Sequence, residues 1–481
     1  MKRLLTAILA PLLLCCTQTK EVLYTQHITF PEGATPEQKI DIAARVVPSE
    51  KQLAWQMLEL TAFIHFGINT FTDREWGEGN EDPTLFNPTE LDCEQWVTTL
   101  QKGGFKMVIL TAKHHDGFCL WPTKTTEHSV VNSPWRDGKG DVVRELSDAC
   151  RKHGMKFGFY LSPWDRNAKS YGDSPAYNAF FIAQLTELLT NYGKVDEVWF
   201  DGACGEGPNG KRQEYDWDSI LATVNTLQPD AVTAIMGDDI RWVGNEGGRG
   251  RETEWSATPY TPLSHSGGPE KNALLGLEEM SSDLGSRELI TRANGVHWYP
   301  SEVDVSIRPG WFYHEWQNDE VRTLKNLVDI YYTSVGRNSV LLLNVPPDRR
   351  GLIHEIDAQR IEAFGDYITE NFSKSMIADK VNTWHAKAGD SHEYMVQKGH
   401  RINTLLLQED ICRGQRVERF TVEAYIDGAW RVVAEGTTIG YKRLLRFEEC
   451  EAERIRVTIN ECRAIANIAN VAAYCAAEIE E

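Results

Sequence analysis

Short apolar runs that alternate with amphipathic stretches constrain the fold of this chain more than any other feature. The alternation extends from about residue 55 to residue 370, and the amphipathic stretches have helical periodicity. The runs are rich in Val, Ile, Phe and Tyr, as is typical of parallel strands covered on both faces. Seven are evident: LTAFIHFGI, FKMVILTAK, MKFGFYLSP, DEVWFDGA, AVTAIMGD, GVHWYPSEVDV and NSVLLLNVPP. Such repeated strand-then-helix units predict a (β/α)8 TIM-like barrel whose eighth strand the sequence does not define.

The last hundred residues follow a different pattern. Apolar and polar residues alternate in RFTVEAYI and RIRVTI, which predicts strands with one buried face. Asp427-Gly428 follows the first of these runs and is a typical hairpin turn. We therefore expect a C-terminal antiparallel β-sandwich. The predicted parts of the chain are a signal peptide (1–20), a catalytic barrel domain (21–372) and the sandwich domain (373–481).

The first 20 residues, MKRLLTAILAPLLLCCTQTK, have the form of an export signal. Lys2 and Arg3 precede an apolar run that is too short to span a bilayer. The run ends at Cys15-Cys16, which favours a bacterial lipoprotein signal with Cys16 as the acylated residue, over an ordinary signal peptide cleaved nearby. We expect an exported protein, periplasmic or anchored in the outer membrane, that meets a membrane only through this lipid.

The charge of the chain argues against one class of partner. Lys and Arg number 50 against 70 Asp and Glu, for a formal net charge of -20. Nucleic-acid binding requires a basic face that neutralises phosphates, so the balance excludes DNA and RNA as expected partners.

Polar residues stand at the ends of the apolar runs, where barrel enzymes build their active sites. Asp201 ends VWFDGA, His65 follows the first strand, and His114 and His115 follow the second. Tyr160 lies near the end of the third. An Asp before Gly often only caps a turn. At the rim of a barrel beside three histidines, however, Asp201 is placed to act as a nucleophile or a metal ligand.

Two chemistries remain open at this stage. A metal site is disfavoured because adjacent histidines on a strand point to opposite faces, and the HxH pattern of barrel metal hydrolases is absent. A glycosidase needs a second carboxylate as acid or base. The candidates, among which spacing does not choose, are Glu246, Glu252, Glu254, Glu302 and Asp304.

Taken together, the motifs resemble a known family. IHFGINTF, AKHHDGF, GFYLSPW, VWFDGA, RWVGNE, WYPSEVDVSIRPGWFYH and LLLNVPPDRRG are similar in kind and order to motifs of the α-L-fucosidases of glycoside hydrolase family 29. The resemblance covers roughly residues 50 to 370. It implies a retaining exo-hydrolase that removes terminal α-L-fucose from a fucosylated glycan and needs no metal or organic cofactor.

The resemblance also implies roles for individual residues. Asp201 corresponds to the nucleophile, and Glu246 corresponds to the acid/base of the branch that acts on α1,3/1,4-linked fucose. Glu254 is the alternative acid/base. The implied substrate-binding residues are His65, Glu75, Trp76, His114, His115, Tyr160, Trp199 and Arg241.

Two alternatives to a fucosidase stay open. One is a metal-dependent barrel hydrolase that uses His65, His114, His115 and Asp201. The other is a glycan-binding lipoprotein without catalytic activity. The C-terminal sandwich resembles the small β domain of the family. Packing against the barrel is favoured over the alternative, a discoidin-type carbohydrate-binding module, because no cluster of exposed aromatic residues stands out.

Overall fold

The structure is a computed structural model that describes residues 21–379 and 382–480. The predicted signal peptide, including Cys16, lies outside the described residues. Among the helices of the described part, none has the length and apolar character needed to cross a bilayer.

A sheet of eight parallel strands forms the centre of the molecule and confirms the predicted TIM-like barrel. In chain order its strands are Leu60–Ile64, Met107–Lys113, Lys156–Leu161, Glu197–Phe200, Val232–Ile235, Arg241–Trp242, Ser301–Ser306 and Val340–Asn344. The fifth and sixth strands stand at the two ends of the sheet. The Ile240 N–H donates to the Thr233 carbonyl at 3.1 Å, so the sheet nearly closes between them.

The strand that the sequence did not define is Arg241–Trp242, the sixth. It is only two residues long, and a short turn without a helix joins it to Val232–Ile235. Its brevity explains why no periodicity marked it. The run GVHWYPSEVDV is two strands rather than one: Ser301–Ser306 belongs to the barrel, whereas Gly295–Trp298 pairs outside it with His27–Thr29 and Ala257–Thr258.

Helices of ten or more residues follow six of the barrel strands and cover the sheet. They are Cys93–Lys102, Val142–His153, Ser174–Asn191, Trp217–Leu227, Leu324–Thr333 and Glu355–Phe372. The long connection after the sixth strand carries two short helices, Gly268–Leu275 and Arg287–Arg292. The remaining helices are Pro36–Ala43, Glu50–Gln56 and Ile68–Thr72. The N-cap of Cys93–Lys102 is Asp92, whose carboxylate accepts two backbone N–H groups of the first turn.

The C-terminal region is a sandwich of two four-stranded antiparallel sheets with a separate apolar core. One sheet contains Trp384–Ala386, Ala466–Tyr474, Ile402–Glu409 and Arg443–Cys450; the other contains Ser391–Met395, Arg454–Cys462, Val417–Ile426 and Ala429–Gly436. Asp427 (φ 51°) and Gly428 (φ 78°) form the predicted hairpin turn.

The sandwich contacts the loop that follows the sixth barrel strand. Arg443 forms an ion pair with Glu252. The Gln415 side chain donates to the Glu254 carbonyl at 2.8 Å and accepts from the Ser256 N–H at 2.8 Å. The second domain therefore supports one side of the barrel rim.

Candidate active site

Asp201 directly follows the fourth barrel strand, and its two carboxylate oxygens have different surroundings. Oδ1 accepts the Ala203 N–H at 2.9 Å and closes the turn, as an Asp before Gly commonly does. Oδ2 accepts the Tyr160 hydroxyl at 3.0 Å. The side chain is 26% exposed, so it also reaches solvent. Capping of the turn through Oδ1 therefore leaves Oδ2 accessible.

His65 is held in a single tautomer by Asn344, the last residue of the eighth strand. The Asn344 amide nitrogen donates to Ser306 Oγ (2.9 Å) and to the Trp311 carbonyl (2.7 Å), so its oxygen must accept from the His65 Nδ1–H at 2.8 Å. Burial lowers the pKa of His65 to about 3. A neutral ring with Nδ1 protonated leaves Nε2 as an acceptor for a hydroxyl group.

His115 is oriented in the same way by Ser162. The Ser162 hydroxyl donates to the Trp164 carbonyl at 2.6 Å, so the His115 Nδ1–H donates to Ser162 Oγ at 2.7 Å. His115 Nε2 then lies 3.7 Å from Asp201 Oδ2. Burial lowers the pKa of His115, which favours the neutral ring.

His114 lies against His115, with ring centroids 4.2 Å apart, and 5.6 Å from His65. Burial, followed by the two neighbouring histidines, lowers its pKa well below the ordinary value. Its Nδ1 is buried without a hydrogen-bond partner among the described residues. The structure therefore brings the three predicted histidines together beside Asp201 as neutral rings.

Trp199 and Tyr160 form the floor beside Asp201. Their rings stack with centroids 5.3 Å apart and an interplanar angle of 28°. The Trp199 indole N–H donates to Glu302 Oε2 at 2.8 Å. Burial, followed by the charge of Asp201, raises the pKa of Tyr160 well above its ordinary value, so the hydroxyl keeps its proton and remains a donor to Asp201.

A cavity of about 580 Å³ opens on the other side of Asp201. Its size lies within the range of small-molecule sites. Its polar and aromatic lining includes Trp199, Asp201, Arg241, Trp242, Glu246, Tyr260, Glu279, Tyr299 and Asp304. The three histidines are not part of this lining, whereas Asp201 lines the cavity and also lies next to His115 of the histidine cluster.

Glu246 reaches this cavity from the loop after the sixth strand. The Trp311 side chain hydrogen-bonds its carboxyl group. Glu246 is exposed, but partial burial of its carboxyl group raises its pKa, and the negative charges of Asp201 and Glu75 raise it further, while Trp311 opposes the shift. A carboxyl group with a raised pKa is what acid catalysis requires of a glutamate.

Glu254 occupies a different environment from Glu246. It is buried, forms ion pairs with Arg241 and with Arg251 (3.2 Å to the latter), and is not part of the cavity lining. Arg241 also donates to the Tyr299 carbonyl at 3.0 Å, and it lines the cavity as its predicted role requires. Glu252, another carboxylate singled out from the sequence, pairs with Arg443 and Arg337.

Glu75 and Trp76 lie in the loop after the helix Ile68–Thr72 and contact different parts of the site. Glu75 accepts the backbone N–H groups of Trp311 (2.7 Å) and Phe312 (3.2 Å), and its Oε1 is 2.7 Å from His314 Nε2. Trp76 is 52% exposed and meets the His115 ring edge-on, with centroids 5.3 Å apart. An exposed indole beside the histidines is available to a ligand.

Four residues that help to build the site were not among those predicted: Ser162, Trp311, His314 and Asn344. Asn344 could have been found from the sequence, because it stands at the end of an apolar strand, as Asp201 does in its own apolar run. Ser162 likewise follows its strand directly. Trp311 and His314 belong to a loop, and no periodic signal marks them.

The described residues contain no group of three or more His, Cys, Asp or Glu arranged to hold a metal ion. In the histidine cluster, Nδ1 of His65 and Nδ1 of His115 are already committed to Asn344 and Ser162. The geometry presents hydrogen-bonding groups for hydroxyls rather than a set of converging ligands.

Comparison with known proteins relates this arrangement to one family. The family model for α-L-fucosidase matches residues 47–372. α-L-Fucosidase 1 of Arabidopsis thaliana is 40% identical over 450 residues, which cover 87% of this chain and 85% of the plant protein.

Solved structures agree with this match. A crystal structure from Bacteroides ovatus is 61% identical and superposes with a TM-score of 0.94, covering 96% of this chain and 79% of that one. A Ruminococcus gnavus family 29 fucosidase in complex with fucose is 32% identical with a TM-score of 0.79, covering 90% and 95% of the two chains. This chain belongs to the α-L-fucosidases of glycoside hydrolase family 29.

Proposed function

We propose that the chain is a retaining exo-α-L-fucosidase in which Asp201 is the nucleophile and Glu246 the acid/base, and that it prefers α1,3- or α1,4-linked fucose. The observation that carries the proposal is the pairing of two unlike carboxyl groups at one cavity. Asp201 is held by the Tyr160 hydroxyl of the neighbouring strand and by the Ala203 N–H of the turn that follows it, whereas the pKa of Glu246 is raised.

In the first step, Asp201 Oδ2 attacks the anomeric carbon of fucose as the bond to the leaving oxygen breaks, and Glu246 gives its proton to that oxygen. The Tyr160 hydroxyl, 3.0 Å from Oδ2, keeps this oxygen in position before the attack. The product is a fucosyl ester on Asp201 and a free aglycone.

In the second step, Glu246 removes a proton from water, and the water oxygen attacks the anomeric carbon and releases Asp201. The charge of Asp201 is one reason why the pKa of Glu246 is raised. Ester formation removes that charge, so the pKa of Glu246 falls when the residue must act as a base. One carboxyl group can thus serve both steps.

The substrate is placed by the two groups of residues that neighbour Asp201, the histidine cluster and the lining of the cavity. Fucose occupies the side of the histidine cluster, where His65 Nε2 and His115 Nε2 accept hydrogen bonds from its hydroxyls, and the aglycone occupies the cavity. The Ruminococcus gnavus relative is described with fucose bound, and we extend that ligand to this chain. A cavity of about 580 Å³ has room for the further sugars of a branched glycan, while the linkage preference rests on the resemblance of the Glu246 motif to that branch of the family.

The experiment is fucose release by the purified protein from a Lewis-type trisaccharide with α1,3- or α1,4-linked fucose, compared with 2'-fucosyllactose. We expect release from the branched sugar only. Equal release from both would retain the fucosidase but contradict the linkage preference. Release from neither would contradict the proposed function.

The same assay separates the alternatives. Loss of activity after exhaustive chelation, with recovery on adding a divalent metal, would favour a metal-dependent hydrolase. Binding of the trisaccharide without turnover would favour a glycan-binding protein. We expect multiple turnovers that chelation does not change.

We further propose that the chain is exported and anchored through a lipid on Cys16, which lies outside the described residues. Metabolic labelling with a fatty acid tests this proposal. We expect label on the full chain and none on Cys16→Ser; equal label on both would contradict it.

A further inference from the structure

Two glutamates face each other inside the barrel, beneath the candidate active site. Glu197 begins the fourth strand and Glu302 lies in the seventh, and both are fully buried. Each accepts one indole N–H: Glu197 Oε2 accepts from Trp55 at 2.8 Å, and Glu302 Oε2 accepts from Trp199 at 2.8 Å. Trp55 lines the cavity at the opposite end of the barrel, so the pair lies between that cavity and the active site.

The second carboxyl oxygen of each glutamate has no N–H or hydroxyl donor. Oε1 of Glu197 and Oε1 of Glu302 are buried and receive no hydrogen bond from an N–H or hydroxyl group of the described residues. The two carboxyl groups nevertheless lie within hydrogen-bonding reach of each other. Ionised carboxylates are acceptors only, so this contact requires a proton between them.

We infer that Glu197 and Glu302 share a proton and that this acid pair positions Trp199 beneath the substrate. The indole is fixed by its hydrogen bond to Glu302, and its ring stacks on Tyr160, whose hydroxyl donates to Asp201. Glu302 and Glu197 are thus positioning residues that act through Trp199. The kinetic part of this inference rests on the proposed function, whereas the shared proton does not.

The electrostatic surroundings favour retention of the proton. Besides burial and the partner glutamate, the charge of Asp239 raises the pKa of Glu197, and Glu302 in turn raises the pKa of Asp304. Asp239 is paired with Lys51 at 2.8 Å, which reduces its effect. Burial raises the pKa of both glutamates, and the charge of Glu302 raises that of Glu197 further.

This arrangement predicts how stability depends on pH. The unfolded chain releases these protons near the ordinary glutamate pKa of 4.5, whereas the folded chain retains at least one. The folded state therefore binds more protons above about pH 4.5, and its stability falls as pH rises until the pair is fully ionised. Two ionised carboxylates would then repel each other and release Trp199.

The test uses Glu302→Gln, whose amide oxygen accepts from Trp199 and whose amide nitrogen donates to Glu197 in place of the shared proton. We expect the infrared difference spectrum, wild type minus variant at neutral pH, to show the carbonyl band of one protonated carboxyl group. We expect kcat of the variant to stay within about threefold of wild type at pH 6 and to decline less towards alkaline pH. The melting temperature of the variant should also fall less between pH 5 and pH 8.

Two further variants complete the design. Glu302→Leu removes the acceptor of the Trp199 indole, and we expect kcat of the folded protein to fall about tenfold or more, with a smaller change in KM. Glu409→Gln is the matched control, because Glu409 is a buried glutamate of the sandwich that accepts only backbone N–H groups. It should lower stability while leaving kcat unchanged.

The inference is overturned if the difference spectrum contains no protonated carboxyl band, or if folded Glu302→Leu has the kcat of wild type. If Glu302→Leu does not fold, an alkaline decline in kcat that is identical in Glu302→Gln and wild type overturns the positioning role. A chain without fucosidase activity contradicts the proposed function, while the spectrum and the melting curves still test the shared proton.

Discussion

One wall of the active site is built at the ends of barrel strands and the other on a loop. Barrel residues hold the first wall, whereas residues from distant parts of the chain hold the second. Asp201, His65 and His115 follow barrel strands, and neighbouring barrel residues fix each of them through hydrogen bonds of 2.7 to 3.0 Å. Glu246 lies between Gly244 (φ 99°) and Gly248 (φ 73°) in the loop after the shortest barrel strand. The first wall takes its precision from the sheet, and the second depends on what packs around it.

The packing of the loop wall explains why its glycines are needed. A Cβ at Gly244 would lie 2.8 Å from the Glu279 carbonyl oxygen, and a Cβ at Gly248 would lie 2.8 Å from a side-chain carbon of Ile330. The sandwich holds the next part of the loop through Gln415. The comparison indicates that the nucleophile needs a fixed position, whereas the exposed acid/base has its pKa tuned by partial burial and by neighbouring charges.

The largest expected effect breaks the strand wall at its chemical centre. Asp201→Asn retains the oxygen that accepts the Ala203 N–H but removes the nucleophile, so we expect kcat to fall about 10⁴-fold or more with an unchanged melting temperature. Asp173→Asn is the control. Asp173 occupies the N-cap position of the helix Ser174–Asn191, but its side chain makes no capping hydrogen bond, so the variant should behave as wild type. Activity of Asp201→Asn close to that of wild type would refute the assignment.

The second prediction breaks the loop wall. Glu246→Gln cannot donate the proton, so kcat/KM for the trisaccharide should fall about 10² to 10⁴-fold, and less for an aryl fucoside whose leaving group needs no proton. Because the acid works only while protonated, wild-type kcat/KM should decline as pH rises through the raised pKa of Glu246. The variant should lack this decline and keep only the part of the alkaline decline that follows ionisation of the Glu197–Glu302 pair. An equal loss on both substrates would contradict the acid role.

A third change separates Glu254 from Glu246 and sharpens the comparison. Glu254→Gln leaves Arg241 and Arg251 without their buried counter-charge, so we expect the free energy of unfolding to fall by about 3 kcal/mol. Any loss of activity in the folded variant, relative to wild type, should be the same for the trisaccharide and for the aryl fucoside. Denaturant titration and the two substrates together check this, and a loss restricted to the poor leaving group would make Glu254 the acid.

The smallest expected effect concerns ligand placement on the strand wall. His65→Ala removes one acceptor for a fucose hydroxyl, and we expect kcat/KM to fall about 10- to 100-fold, as for a lost buried hydrogen bond. Asn344→Ala frees the tautomer of His65 without removing the ring, so its loss should be smaller. An Asn344→Ala loss larger than that of His65→Ala would show that Asn344 acts independently of His65.

The two walls also differ in how far the sequence predicts them. The apolar runs that end in His65, His114, His115 and Asp201 indicate strand-end side chains, and the barrel brings these residues together. Because the strand ends converge in any such barrel, a polar residue at the end of an apolar run is enough to predict a place at the active site. Ser162 and Asn344 carry the same signal and were not singled out.

The loop wall is less accessible to sequence reasoning for a physical reason. The sixth strand has only two residues, and the loop after it is fixed by distant groups such as Trp311 and Gln415. A two-residue strand and contacts from distant residues leave no periodic pattern in the sequence around Glu246. Burial of Glu254 between two arginines depends on the folded loop and could not be derived from the spacing of the carboxylates.

Trapping of the covalent intermediate tests the central claim most directly. The protein is incubated with a fluorinated fucosyl fluoride that forms the glycosyl ester quickly and hydrolyses it slowly, then digested and analysed by mass spectrometry. The account predicts one added fluorofucosyl group on the peptide that contains Asp201, and none on Asp201→Asn. Turnover of fucosides without any labelled peptide, or a label on another carboxylate, would contradict it.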